Sequence, residues 1–337
     1  MEAEDQIKAL PKLEQHIHIV GSVKPETLLW LIEEAGVESP SNLEGVNRLF
    51  QYKDFEHFIS VYSKVNDCIT NESQFERIVY EMLEKEAQCN VKHVEAIFST
   101  YDHVRRGLDH GLMVEALSRG IRKARNEFGV GCTLRIDLVR NYGPEIGMKV
   151  LDLIEEKCEN IVAIDLGGSE EGFPPSPYRE TFQRARGMGL HVVAHAGEAS
   201  GPQSIWDAIN HLRVERIGHG VSAARGPRLL AFIKKQGITI EACPVSNVKT
   251  GVVPSIRQHP VRLFYDEGLS VSVNSDDPSM FGTDMNGEYL QLHRELGFTV
   301  LDLFNLSLNA VASSFIPETQ KRRMIEEFQK EYMKIIA

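Results

Sequence analysis

The sequence predicts an α/β fold, a (β/α)8 TIM-type barrel with extra helices inserted after the first strand. Eight short runs rich in β-branched residues recur along the chain, and segments with apolar residues three and four positions apart fill most of the gaps between them. Strands that alternate with helices imply a parallel sheet covered by helices, and eight such units close a barrel. The predicted strands are residues 13–19, 91–99, 132–139, 161–166, 191–195, 216–219, 238–243 and 269–275.

An open, doubly wound sheet is the alternative α/β architecture. It would carry a glycine-rich phosphate-binding turn after its first strand. Here the first strand continues into His16-Ile-His18-Ile-Val-Gly-Ser, and neither a G-x-G-x-x-G motif nor a P-loop occurs in the sequence. The barrel is therefore the favoured architecture.

The helices follow from apolar periodicity and from the residues that flank it. The first begins near Pro25 and ends before Gly36. Helices predicted at 54–68 and 73–88 lie inside the first βα connection and make it the longest one, so we expect it to cover the catalytic face as a lid. Residues 300–336 predict one or two closing helices. Without a repeat, a low-complexity tract or a linker, we expect a single domain over residues 1–337.

Composition and charge exclude several classes of protein. Lys plus Arg number 37 against 48 Asp plus Glu, a formal charge of −11, which disfavours nucleic acid and anionic membranes as partners. The first ten residues lack the features of a secretory signal, and no run of eighteen apolar residues occurs. The five cysteines are widely spaced and include no C-x-x-C pair. We therefore expect a cytoplasmic protein with reduced thiols.

Candidate metal ligands lie at the ends of three predicted strands. His16 and His18 are two residues apart on the first strand, so both imidazoles point to one face. Two core histidines bonded to backbone carbonyls are the alternative for that pair alone. The fifth strand ends at His195 and the eighth is followed by Asp276. Because active sites of such barrels lie at the carboxyl ends of the strands, these four side chains predict one divalent metal ion that would lower the pKa of a bound water. Zinc is expected, with Fe²⁺ or Mn²⁺ as alternatives.

Three further side chains at the same face could move protons. His219 follows the sixth strand and could hold or deprotonate a water. Glu198, three residues after His195, could act as a general acid, and Asp277 could accept a hydrogen bond from a substrate. The fourth strand contains no lysine, which disfavours a two-metal hydrolase with a carbamylated lysine. The compact zinc base deaminases require a C-x-x-C motif that is absent here.

At these residues the sequence resembles the adenosine deaminase family of the amidohydrolase superfamily over essentially its whole length. The matching motifs are residues 10–22, 164–168, 195–198, 216–220, 243–247 and 275–278. The resemblance implies metal ligation by His16, His18, His195 and Asp276. It implies that Glu198 protonates purine N1, His219 activates water, Asp277 contacts N7 and the backbone N–H of Gly168 faces N3. Hydroxide would then add to C6 and ammonia would leave.

One departure from the family pattern concerns the substrate. Val20 stands where adenosine deaminases usually have an aspartate that bonds the ribose 5′-hydroxyl, and where adenine deaminases usually have a glutamate. An aliphatic side chain favours a substrate whose 5′ end is apolar or substituted. Residues 54–62, 201–208 and 281–289 look most like the aminodeoxyfutalosine deaminases of the alternative menaquinone route, whose nucleoside substrate carries an aromatic acid beyond C5′.

That resemblance predicts a purine nucleoside deaminase that acts on a 5′-extended nucleoside such as 6-amino-6-deoxyfutalosine. Arg105, Arg106 or Arg140, near the ends of the second and third strands, could bind the carboxylate of that substrate. The alternatives are deamination of adenosine, deamination of adenine or another aminated heterocycle, and a barrel that binds a ligand without turnover.

Overall fold

The computed structural model describes residues 2–38 and 40–337. Within them, eight strands form one parallel sheet in which each strand pairs with the next along the chain. The strands are β1 Lys12–His18, β2 Val91–Phe98, β3 Gly131–Val139, β4 Ile161–Gly167, β5 His191–Ala196, β6 Arg216–His219, β7 Thr239–Ala242 and β8 Val271–Val273. The barrel prediction is confirmed, and each predicted run overlaps one of these strands.

The sheet closes between β8 and β1. Ile17 forms a parallel bridge with Asp276, the N–H of His18 donates to the Asp276 carbonyl at 2.7 Å, and the Asp276 N–H donates to the His16 carbonyl at 3.0 Å. β8 ends at Val273, two residues before the end of the predicted run, because the chain then bends toward β1. Barrel closure therefore places Asp276 beside the two histidines of β1.

Helices cover the outside of the barrel, and four of them lie in the first βα connection. Three of these four were predicted from the sequence, and the helix at Leu43–Leu49 was not. Short 3₁₀ turns and one π turn account for the remaining helical residues. The helices are α1 Ala3–Ala9, α2 Pro25–Glu34, α3 Leu43–Leu49, α4 Phe55–Cys68, α5 Gln74–Gln88, α6 Thr100–Val104, α7 His110–Phe128, α8 Pro144–Glu156, α9 Arg179–Gly187, α10 Pro202–Asp207, α11 Pro227–Gln236, α12 Pro244–Lys249, α13 Val261–Asp266, α14 Pro278–Phe281, α15 Met285–Leu296, α16 Val300–Ser313 and α17 Glu318–Ile336.

Two of these helices form the predicted closing segment. α16 packs against β1 and β8, and α17 packs against α16. The Ser307 hydroxyl donates to the carbonyl of Pro11 at 2.6 Å, and the Gln15 amide donates to the carbonyl of Ala310 at 3.0 Å. These bonds tie α16 to β1. Among residues 2–38 and 40–337, the structure contains no helix with the length and apolar character that a membrane crossing requires.

α4 carries the part of the first connection that faces the site. Its N-terminus is capped by Asp54, whose side chain accepts from the His57 N–H at 2.8 Å. Phe55, Phe58 and Tyr62 recur at helical spacing, and all three line a cavity at the carboxyl ends of the strands. The first connection therefore forms an aromatic wall beside the site, which is the place where the lid is expected.

Candidate active site

Barrel closure brings the four predicted ligands together at the carboxyl ends of β1, β5 and β8. One ligand atom each of His16, His18, His195 and Asp276 lies within 4.8 Å of the other three. Asp276 Oδ1 is 3.1 Å from His16 Nε2 and 3.3 Å from His18 Nε2. The four side chains are separated by up to 260 positions in the chain, so the convergence is a property of the barrel rather than of any local motif.

The hydrogen bonds around these atoms fit a bound cation. His16 Nδ1 is 2.8 Å from Glu241 Oε2, so that nitrogen carries the proton and Nε2 presents a lone pair. This lone pair faces Asp276 Oδ1, and neither atom has a hydrogen-bond partner although both are buried. Two acceptors that face each other without a donor repel, and a cation between them removes the repulsion.

Residues beneath the ligands hold them in place, and these supporting residues were not predicted from the sequence. Asp165 Oδ1 is 3.2 Å from His195 Nδ1, which leaves His195 Nε2 free for a metal. Arg135 lies 2.8 Å from Asp165 and 2.8 Å from Glu241, and it joins the carboxylates behind His195 and His16. Arg135, Asp165 and Glu241 are completely buried. Despite burial, Arg135 and Arg216 hold the pKa of Glu241 well below its usual range, so it stays ionised.

The same face shows backbone strain. Asp276 has φ 63 and His219 has φ 61, a left-handed conformation that is uncommon for residues other than glycine, although aspartate and histidine adopt it more often than most. The Asp276 carboxylate is further fixed by the Ser246 hydroxyl, which donates to Oδ2 at 2.6 Å. Strain of this kind persists where the surrounding structure over-determines a position, as it does for side chains at a functional site.

A second set of possible ligand atoms overlaps the first. His16, His219, Cys243 and Asp276 also each offer an atom within 4.8 Å of the others. Burial raises the pKa of the Cys243 thiol well above its ordinary value, followed in effect by the charge of Asp276. Because the thiolate is the form that binds metals, the set with three histidines is the better donor set.

Glu198 lies beside His219 with its side chain 7% exposed. Burial raises the pKa of Glu198 well above its usual range, and the charges of Asp276 and Glu170 add to the effect. A carboxyl group in this environment is protonated near neutral pH and can donate a proton. The general-acid role predicted for Glu198 therefore has the required electrostatics.

The loop that carries Glu198 is held by Glu170, which the sequence did not single out. Glu170 accepts hydrogen bonds from the N–H groups of Gly197 and Ala199 at 2.7 Å and of Ser200 at 2.9 Å. The Ser204 hydroxyl donates to the same carboxylate at 2.6 Å. These bonds fix the backbone on both sides of Glu198.

A relay of hydrogen bonds sets the protonation of His219. The Val261 N–H donates to His259 Nδ1 at 3.1 Å, so the proton of neutral His259 is on Nε2. His259 Nε2 donates to Asn247 Oδ1 at 3.1 Å, and this orients the Asn247 amide. Asn247 Nδ2 then donates to His219 Nδ1 at 3.1 Å. Burial lowers the pKa of His259 to about 3 and that of His219 well below its usual value. Neutral His219 therefore carries its proton on Nε2, which faces the ligand cluster.

Asp277 packs against the turn that follows β1. A Cβ atom at Gly21 would lie 1.8 Å from Asp277 Oδ1, so only glycine leaves room for this carboxyl. Burial, and then the charge of Asp276, raises the pKa of Asp277 well above its ordinary value. A protonated carboxyl donates a hydrogen bond, which is the reverse of the accepting role expected from the sequence. A donor matches purine N7, which is an acceptor.

A cavity opens above the ligand cluster. It combines the predicted site residues with the aromatic wall of α4 and with polar side chains from the ends of β2 to β4. Gly168 lies on its rim with φ 83. The lining residues are His18, Phe55, Phe58, Ile59, Tyr62, Ser63, Asn66, Ser99, Asp102, Asp137, Val139, Asn141, Tyr142, Gly168, Ser169, His195, Glu198, His219, Asp276 and Asp277.

The structure does not bring Arg140 or Arg106 into this cavity. Arg140 is 1% exposed, and its guanidinium donates to four backbone carbonyls, among them those of Leu166 at 2.8 Å and His195 at 2.6 Å. Arg106 donates to the carbonyls of Asp102 and Asn66. Their donors are occupied by the fold, which spacing along the chain could not reveal.

Arg105 and Val20 lie at the edge of the site. Arg105 is exposed, and its guanidinium carbon is 5.7 Å from the ring centre of Tyr142, a cavity-lining residue. Val20 lies in the 3₁₀ turn after β1, is 2% exposed and is not among the lining residues. Arg105 is thus the predicted arginine that is exposed beside a lining side chain, and Val20 places no carboxylate next to His18.

The chain is similar in sequence and in structure to known deaminases. The profile of a family described as adenosine deaminase matches residues 11–331. An aminodeoxyfutalosine deaminase from Streptomyces coelicolor is 37% identical over 325 residues, covering 95% of this chain and 84% of that protein. An adenine deaminase from Acinetobacter baylyi is 31% identical over 331 residues, covering 98% of this chain and 100% of that protein. The crystal structure of adenine deaminase from Arthrobacter aurescens superposes with a TM-score of 0.92 at 29% identity, covering 95% of this chain and 98% of that one.

Proposed function

Since the chain belongs to the adenosine deaminase family and is a hydrolytic deaminase, we propose that it removes the 6-amino group of a purine nucleoside with a 5′ extension. The observation that carries the proposal is the cluster at the cavity floor, where His16, His18, His195 and Asp276 meet beneath the protonated carboxyl of Glu198. A metal-ligand set and a general acid in one cavity are what hydrolysis of an aminopurine requires.

We assign the metal to His16, His18, His195 and Asp276. The unpartnered atoms of His16 and Asp276 support this assignment, as does the carboxylate behind each of His16 and His195. A divalent cation at this position supplies Lewis acidity and lowers the pKa of water that binds it.

Glu198, Asp277 and His219 would carry out the proton transfers and hold the substrate. Glu198 would donate to purine N1, which places positive charge in the ring and makes C6 more electrophilic. Asp277 would donate to N7 from its protonated carboxyl and so hold the opposite edge of the purine. His219 would present Nε2–H toward the reacting oxygen and orient it, because the relay from His259 occupies its Nδ1. The water oxygen would add to C6 and give one proton to the Glu198 carboxylate, which restores the acid. The remaining hydroxyl proton would pass to the amino group, so that the C6–N bond breaks, ammonia leaves and the 6-oxo purine keeps the proton on N1.

A nucleoside with an apolar extension is the substrate we favour. The cavity continues from the ligand cluster to the aromatic side chains of Phe55 and Phe58 on α4, which suit an apolar or aromatic group beyond C5′. Because residue 20 is valine, there is no carboxylate at this position near His18 that could hydrogen-bond a 5′-hydroxyl. The relative from Streptomyces coelicolor, an aminodeoxyfutalosine deaminase, supports 6-amino-6-deoxyfutalosine as the substrate. Arg105 at the mouth is the remaining candidate for its carboxylate.

Adenine is the second candidate substrate. Adenine deaminases from several bacteria are 30 to 33% identical to this chain over most of its length. The base would use the same contacts at N1, N7 and C6 but would leave the aromatic wall of α4 empty. The size of the cavity beyond the catalytic groups is the feature that favours the nucleoside.

Substrate comparison tests the proposal. Loss of absorbance at the adenine maximum and release of ammonia are measured with adenine, adenosine, 5′-deoxyadenosine, methylthioadenosine and 6-amino-6-deoxyfutalosine. We expect kcat/KM to be highest for 6-amino-6-deoxyfutalosine and lowest for adenine. Preference for adenosine or adenine overturns the substrate assignment, and absence of turnover on all five overturns the reaction. Glu198→Gln serves as the inactive control and Glu180→Gln, at an exposed position, as the matched active one.

A further inference from the structure

We propose that Asp137 forms a hydroxyl-binding subsite for the ribose diol of the substrate, a role that rests on the proposed nucleoside deamination. Asp137 lies on β3 and lines the cavity, although it is only 4% exposed. The Ser99 hydroxyl donates to Oδ2 at 2.8 Å, whereas the buried Oδ1 has no hydrogen-bond partner. A buried carboxylate oxygen without a donor is costly, and a ligand hydroxyl would satisfy it.

The neighbouring strand carries a glycine directly beside this carboxylate. A Cβ atom at Gly167, on β4, would lie 2.5 Å from Asp137 Oδ1 and 2.8 Å from Oδ2. Because glycine stands there, the Asp137 carboxylate packs directly against the backbone of β4, and Asp137 remains a lining residue of the cavity. Any other residue at this position would displace the Asp137 carboxylate or cover it.

The position of Asp137 suits the sugar of a purine nucleoside. Asp137 packs against Gly167, the residue before Gly168, whose N–H is expected to face purine N3. In a purine, N3 is next to C4, which is bonded to N9, the atom that carries the ribose. A group beside the N3 contact is therefore close to the C2′ side of the sugar. This placement distinguishes Asp137 from Glu198 and Asp277, which serve the N1 and N7 edges.

The polar surface around Asp137 favours hydroxyl groups over anions. The Tyr142 hydroxyl donates to Asp102 Oδ1 at 2.7 Å, and the Asn66 amide lies 3.5 Å from Oδ2 of the same carboxylate. Asp102, Tyr142 and Asn66 line the cavity together with Asp137 and Ser99. Among the lining residues of the described chain there is no lysine or arginine, and Arg105 and Arg106 act on Asp102 from outside this lining. Such a surface accepts hydrogen bonds from hydroxyls and repels a phosphate.

The test is a matrix of sugar-modified substrates and variants. We measure kcat/KM for adenosine, 2′-deoxyadenosine, 3′-deoxyadenosine, 2′,3′-dideoxyadenosine and adenine with the wild type, Asp137→Ala, Asp137→Asn and Ser99→Ala. Asp5→Asn on the exposed face of α1 is the matched control for removal of a carboxylate. Circular dichroism and the unfolding temperature establish that each variant is folded.

We expect the wild type to prefer adenosine over the dideoxy analogue by about tenfold to a hundredfold, the range for a hydroxyl donated to a buried carboxylate. Asp137→Ala should reduce that preference to less than about threefold and leave turnover of adenine unchanged within about threefold. Asp137→Asn, which keeps an acceptor oxygen, should retain part of the preference.

Three outcomes separate the ideas. Equal kcat/KM for adenosine and the dideoxy analogue in the wild type overturns the subsite even where the variants fail to fold. An equal loss on all substrates in Asp137→Ala overturns it as well, because that pattern indicates a structural role. Absence of turnover in the wild type on every purine, 6-amino-6-deoxyfutalosine included, overturns the proposed function instead, so the two failures are distinguishable.

Discussion

The relay from His259 through Asn247 to His219 makes a sharp prediction for the substitution Asn247→Asp. The amide nitrogen of Asn247 donates to His219 Nδ1 at 3.1 Å and lies 3.3 Å from Glu198 Oε1. An aspartate of the same shape can accept from His259 but can donate to neither partner. His219 must then carry a proton on Nδ1 to bond the new carboxylate. Its Nε2 loses the proton that faces the reacting oxygen, or the ring becomes an imidazolium.

The expected effect on the rate is large. Burial holds the pKa of His219 well below its usual value, so the wild-type ring is neutral over the working pH range. A carboxylate 3.1 Å away attracts the positive charge of the imidazolium and so raises that pKa, against the effect of burial. In a serine protease, imposing the wrong tautomer on a catalytic imidazole lowers kcat by about 10⁴-fold. We expect a loss of about 10²- to 10⁴-fold for Asn247→Asp.

Two measurements test this reasoning. The absorbance assay gives kcat across pH 5 to 9 for the wild type, Asn247→Asp and the control Asn305→Asp, which makes the same chemical change in α16. Nitrogen-15 spectra of the histidine rings report the tautomer directly, and the wild type should show His219 protonated on Nε2. A kcat for Asn247→Asp within about threefold of the wild type would refute the relay. So would a wild-type His219 protonated on Nδ1.

Three more predictions concern the acid, the metal and an arginine. The pKa of Glu198 is raised and the protonated form is the active one, so kcat/KM should fall as pH rises through that pKa. Glu198→Gln should abolish this alkaline fall and lower kcat by about 10²- to 10⁴-fold. If the alkaline fall is unchanged in the variant, Glu198 is not the general acid. Removal of the metal by a chelator should lower the unfolding temperature by roughly 6 °C, because about 4 kcal/mol is lost for a metal at 1,000 times its Kd and the unfolding entropy is about 2.1 cal/mol/K per residue. Differential scanning calorimetry measures this shift and its reversal when zinc or manganese is added back. An unfolding temperature that neither treatment changes argues against a bound metal. Arg140→Ala should destabilise the fold by about 3 to 5 kcal/mol in urea titrations, because it leaves buried carbonyls unpaired. Arg105→Ala should leave stability unchanged and raise KM for a carboxylated substrate. If Arg140→Ala is as stable as the wild type and only its KM is raised, the structural role of Arg140 is contradicted.

The ligand set could be predicted from the sequence because each ligand is recognised by its position at the end of its own strand. A strand end is visible in the sequence as the end of an apolar run, and a barrel puts all eight carboxyl ends at one face. His16, His18 and His195 therefore needed no knowledge of contacts across the barrel. Asp276 follows from the same rule, although closure between β8 and β1 is what places its carboxylate between the histidines.

The arginine predictions show where this reasoning stops. Arg105, Arg106 and Arg140 all follow strands whose ends face the site, and spacing gives no reason to separate them. In the structure, Arg140 and Arg106 donate to backbone carbonyls, whereas Arg105 is exposed beside the ring of Tyr142, a lining residue. A long side chain can reach in several directions, so its partner depends on which carbonyls the fold leaves unpaired.

By itself, the sequence determined the order of strands and helices, the face on which the chemistry gathers, the residues that could bind a metal and the family of the chain. Periodicity and strand ends are properties of neighbouring residues, so they can be read along one dimension. Only the tertiary structure decided the support behind those residues: Glu241 behind His16, Asn247 behind His219 and the opening that Gly167 leaves for Asp137. Each of these contacts joins different strands or loops, and its energy depends on a distance and a burial that exist only after the barrel has closed.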